Sequence, residues 1–123
     1  MKKILLIALF LSAPFLVSAH HSTAANFTQE IISVEGTIER VRFQNPHSSV
    51  LIKNTDDQGE ETFWLIESVG RTTLERQDVS FDLLEVGSMV KATGRKGRRE
   101  FTMYLRDIEF EDGAVFVPEP DLY

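Results

Sequence analysis

Between residues 31 and 43, the apolar side chains of one β-branched run change parity partway along. Ile32, Val34 and Ile38 hold even positions around Gly36, whereas Val41 and Phe43 hold odd ones. Side chains of a strand alternate faces with a period of two, so a straight strand cannot bury both sets on one side. A bulge or bend resolves the conflict, and a strand bent in this way can serve two sheets.

The rest of the chain supplies partners for such a strand. Residues 50–55 and 62–67 read as a β-hairpin joined by Asp56-Asp57-Gln58-Gly59, residue types that suit a turn. Phe63-Trp64-Leu65-Ile66 is apolar on both faces, the pattern of a central strand. Residues 72–76 form a short helix after Gly70, and Leu83, Leu84 and Val86 lead through Gly87 to a fourth strand over 89–93. A basic turn over 95–99 opens a fifth strand, 101–108. Asp112-Gly113 closes a last hairpin with 115–117, and Pro118 and Pro120 end regular structure. The fold class is all-β with one short helix: a five-stranded OB-like barrel in the order strand, strand, strand, helix, strand, strand, plus a C-terminal hairpin. A β-sandwich would need about seven short strands.

The chain opens with Met1, Lys2 and Lys3, followed by an apolar run over 4–17 broken only by Ser12 and Pro14 and ending in Val17-Ser18-Ala19. That is the layout of a secretory signal, with cleavage expected after Ala19. A bilayer crossing needs about 20 apolar residues, and the run is shorter. No second run of that length follows, so no membrane span is expected after cleavage. The expected organisation is a signal peptide (1–19), an N-terminal arm (20–30), the barrel domain (31–117) and a tail (118–123), in a periplasmic or secreted protein. Removing Lys2 and Lys3 leaves 11 basic residues against 19 acidic ones, a net charge of −8 that argues against nucleic acid as a partner. The chain has no cysteine, which excludes disulfides and thiolate metal sites.

Three histidines stand at two places. His20 and His21 would begin the mature chain, and His47 follows Asn45-Pro46 between the first two strands. Cleavage frees the α-amine of His20, which can chelate a metal together with the ring of the same residue while another imidazole completes a three-nitrogen set. Copper heads the affinity order for nitrogen ligands and accepts planar or T-shaped arrangements, whereas zinc, the alternative, prefers a tetrahedron. The opposing reading makes His20 and His21 a frayed end and His47 a surface turn residue.

Other residues carry weaker signals. Arg95, Lys96, Arg98 and Arg99 could grip an anion, or could simply keep a hairpin tip soluble. Trp64 is either a stacking platform for a sugar or part of the core. Met89 and Met103 could offer thioether sulfur to Cu(I), although strand positions suggest core. No Gly-x-Ser-x-Gly motif and no phosphate-cradling glycine loop occur.

His20-His21-Ser22, a strand containing Gly36, Asn45-Pro46-His47, Trp64 with Glu67, and Leu84-x-x-Gly87 together resemble a family of small exported bacterial proteins classified as a domain of unknown function. The resemblance runs from His20 to about Gly113. It implies an OB-like fold and a periplasmic address, without an assigned activity. It also brings Asn45, Glu67 and Trp64 into view as residues that would support a metal, with Glu67 either an oxygen ligand or hydrogen-bond acceptor or, the favoured alternative, a solvated strand end. Three functions follow: a non-catalytic metal-binding protein holding copper through His20, His21 and His47; a metal-free OB-type module for an oligosaccharide, peptide or periplasmic protein; and, least favoured, a copper-dependent oxidative enzyme.

Overall fold

A computed structural model describes residues 23–119. A 3-10 turn, Thr23–Ala25, leads into β1 (Phe27–Arg42), followed by β2 (His47–Thr55), β3 (Glu61–Val69), α1 (Arg71–Arg76), β4 (Met89–Gly97), β5 (Thr102–Phe110) and the short β6 (Val115–Phe116). The expected signal peptide, His20, His21 and residues 120–123 lie outside the described residues.

The long first strand bends where the apolar parity changes. Its register with β2 steps from Ile38–Ile52 to Arg40–Leu51, so Glu39 is the extra residue of a bulge. Residues 27–37 pair with β4, and residues 37–42, on both sides of the bulge, pair with β2. Gly36 lies at the crossover, where an added Cβ would overlap the Lys53 carbonyl. Close approach of the two backbones therefore requires glycine.

The sheet runs β3-β2-β1-β4-β5-β6, and a parallel pairing of β3 with β5 closes five strands into a ring. This is the OB-like barrel expected from the element order. Ile38, Val50, Ile52, Ile66, Met103, Leu105 and Ile108 fill the interior, and α1 adds Leu74 to the same core. Val41 and Phe43 pack against that core on the far side of the bulge, which is how both parities are buried.

Two strand boundaries and two burial expectations differ from the sequence reading. The first strand starts at Phe27, so the arm is shorter than residues 20–30. Phe27 is buried on Tyr104, with ring centroids 5.3 Å apart, and the polar run Thr28-Gln29-Glu30 masks its strand character. The fourth strand continues to Gly97, so Arg95 and Lys96 belong to β4 and the turn comprises 98–101. Gly94 permits that continuation, because a Cβ there would overlap the Tyr104 carbonyl on β5. The strand β3 has a neighbour on both sides only over 65–67, and Phe63 is 49% exposed. Met89 is also exposed on β4, whereas Met103 is fully buried.

Candidate functional site

His47 begins β2, exposed and paired in register with Val69. Alternation along β2 buries Ser48, Val50 and Ile52 and turns His47, Ser49 and Leu51 to the outer face. The loop that delivers His47 is fastened to the start of α1. Asn45 Nδ2 donates to Thr72 Oγ1 (2.8 Å), the Thr72 amide donates to Asn45 Oδ1 (3.1 Å), and the Arg71 amide donates to the Gln44 carbonyl (2.9 Å). The Asn45–Pro46 peptide is cis. Asn45 thus acts on the loop rather than on the imidazole, using both ends of its amide. His47 is the one histidine among the described residues, and these contain no group of three or more His, Asp or Glu placed to hold a metal ion.

Cross-strand register arranges the outer face in rows. One row reads Arg42, Ser49, Glu67, Tyr104, Arg95 across β1, β2, β3, β5 and β4; the next reads Arg40, Leu51, Leu65, Thr102. Glu67 is half-buried on this face, one pleat along from the position opposite His47. Trp64 is not a neighbour of His47. It pairs with Ile52 on the inner face, about 17 Å along the strand from His47. Its ring packs against the core and meets Phe101 edge-on at 5.5 Å, which is the packing role and not a stacking platform.

The four basic residues divide. The Arg95 guanidinium lies 5.1 Å over the Tyr104 ring and donates to Thr23 Oγ1 (2.6 Å). Lys96 pairs with Glu30 at 3.5 Å. Arg98 and Arg99 are exposed in the turn and line an open cleft of about 460 Å³ with Asn26, Phe27, Glu67 and Thr102. The Arg98 amide donates to the Asn26 carbonyl (2.9 Å), which fixes the incoming chain beside the turn.

Three features escaped the sequence reading. Arg40 and Arg42 project outward beside Ser49 and Leu51, a placement that follows from parity once Val41 and Phe43 are known to point in. Tyr104 is 2% exposed and donates from its hydroxyl to Glu119 Oε2 (2.7 Å). Burial pushes the Glu119 carboxyl above its usual range, outweighing the Tyr104 hydrogen bond and the Arg95 charge, which pull it down. Nothing in local sequence pairs residues fifteen apart, so the Tyr104–Glu119 contact had no signal to read.

No curated protein matches the chain. Among solved structures it is similar to the dimeric N-terminal domain of PriB from Thermoanaerobacter tencongensis, with a TM-score of 0.49 and 16% identity, covering 68% of this chain and 97% of that one. Among the described residues, no helix is long and apolar enough to cross a membrane. A family model matches residues 9–104, well over half of the sequence, and on that match the chain belongs to DUF6152, a family of unknown function.

Proposed function

We propose that the chain is exported, that processing after Ala19 leaves His20 at the mature terminus, and that the product holds one metal ion without catalysing a reaction. The ligands are the α-amine and ring of His20, the ring of His47 and, where a further imidazole is needed, His21. Copper suits this all-nitrogen set, and zinc is the alternative.

One observation carries the reading. The described chain begins at Thr23, tied by Arg95 to the Tyr104 ring on the outer face of the barrel, which is also the face that presents His47. From Tyr104 to His47 is two strand spacings across and one pleat along, about 12 Å in a flat sheet. Three extended residues span about 10 Å before any side chain is added, a reach of the same order as that separation. Glu67 lies between the two and is available to accept a hydrogen bond from a ligand's second ring nitrogen.

The test is calorimetric titration with Cu(II) of correctly processed protein, of a form carrying Met ahead of His20, and of His47→Ala. The processed form is expected to bind one ion, with affinity falling at least tenfold in each comparison form. It should weaken as pH drops below about 6.5, where free imidazole gains its proton and ceases to be a ligand. Equal, weak binding by all three would end the proposal. Intact mass of the exported protein checks the cleavage point independently.

A further inference from the structure

The outer face of the barrel also carries arginines that the metal reading does not use. Arg40 and Arg42 stand on β1 at one side of the β2–β3 surface, and Arg98 and Arg99 stand on the turn before β5 at the other. None of the four forms an ion pair among the described residues. By contrast, Lys53 on the neighbouring row is held by Glu39 (3.6 Å) and Glu61 (3.3 Å). Four guanidinium groups without a carboxylate partner, of which Arg98 donates to the Ala24 carbonyl (3.5 Å), are a concentration of positive charge on a chain with net charge −6.

Between these pairs the floor is continuous. Leu65, at the edge of the Arg40–Arg42 hollow, is the register partner of Thr102 in the Arg98–Arg99 cleft, and Ser49 is the partner of Glu67. The two hollows therefore lie on one stretch of the outer face, about 14 Å across from β1 to β5. We infer that together they form a groove that binds an acidic oligosaccharide, with arginines clamping carboxylates near its ends and the floor engaging hydroxyl groups between them.

The chemistry of the floor selects that ligand. Guanidinium groups bind carboxylates through paired N–H donors. Glu67, in the middle of the groove, repels a chain carrying a charge on every unit but accepts hydrogen bonds from sugar hydroxyls; Ser49 and Asn26 add polar groups beside it. Single-stranded nucleic acid would need rings on which to stack its bases. Trp64 faces inward and Tyr104 is buried, so no ring lies in the floor itself, and Phe63 and Phe101 are exposed at its margins. An open groove without walls fits an extended chain better than a small molecule.

The inference is tested on the full processed chain by titration with hexagalacturonate at low ionic strength, beside neutral cellohexaose and a thymidine hexanucleotide. Hexagalacturonate is expected to bind, cellohexaose not to, and binding to weaken steadily with added salt. Arg42→Gln and Arg99→Gln, on opposite sides of the groove and both exposed, should each weaken binding about tenfold. Arg76→Gln, an equal charge loss on α1, should leave it unchanged. Absence of hexagalacturonate binding, equal effects from the three substitutions, or tighter binding of the hexanucleotide would each overturn the inference. Metal-free protein is used throughout, so that Glu67, which the metal reading also uses, is not engaged by the ligand of a bound ion.

Discussion

At the scale of single residues, Glu119 ties the end of the described chain to the barrel. Its carboxylate accepts from the Tyr104 hydroxyl beside Arg95, in surroundings that cost the charged form more than those two partners return. A carboxyl with a raised folded value favours the native state most when protonated. Its contribution is therefore complete below the ordinary glutamate value of 4.5 and is lost as pH rises through the raised folded value. Glu119→Gln keeps the shape, removes the titration, and should flatten the decline in stability over that window. Denaturant midpoints of both proteins across mildly acidic pH would show it; parallel curves would mean the carboxyl titrates as it does unfolded. The position of His47 where the second strand takes over from the loop was legible from Asn45-Pro46 before it, whereas the surroundings of Glu119 were not, since they are assembled from β4, β5 and the tail.

At the scale of elements, α1 shows how much of a helix can be read and where reading stops. Residues 72–76 were legible from the spacing after Gly70, and the helix begins one residue earlier. Its end is a Schellman motif: the Val79 amide donates to the Leu74 carbonyl (2.9 Å) and the Asp78 amide to the Glu75 carbonyl (3.1 Å). Val79 and Leu74 supply the accompanying apolar contact, both packed in the core. Asp78 occupies the position that favours glycine, with φ of 56°, and no glycine marks it in the sequence. Asp78→Gly should therefore stabilise the protein by roughly 0.5–1 kcal/mol, read as a higher denaturant midpoint at unchanged slope. The strand boundaries missed by the sequence have a similar cause. Thr28, Gln29 and Glu30 break the apolar alternation that would have extended β1 back to Phe27, and Gly94 carries β4 past the point where its apolar pattern stops.

At the scale of the whole molecule, the bend in β1 was legible because parity records which face each residue must bury. Ring closure left no such mark. The pairing that joins β3 to β5 is parallel, covers only Leu65–Thr102 through Glu67–Tyr104, and links segments far apart in the chain. Parallel pairing is slightly weaker per residue than the antiparallel ladders elsewhere in the ring, and a short seam has few bonds to lose. Opening it also exposes Ile66 and Met103, both fully buried, at about 1.5–3 kcal/mol for each side chain. The seam should therefore open with a free energy above that of a fraying end but below that of global unfolding. Native-state hydrogen exchange can measure this at the Leu65 amide, which donates to the Phe101 carbonyl (2.9 Å). That amide should exchange faster than amides in the β1–β4 ladder, and with a smaller denaturant dependence, because the opening uncovers less surface than full unfolding. If Leu65 instead shares the rate and slope of the β1–β4 amides, the ring opens only by unfolding, and its closure is as firm as the ladders that flank it.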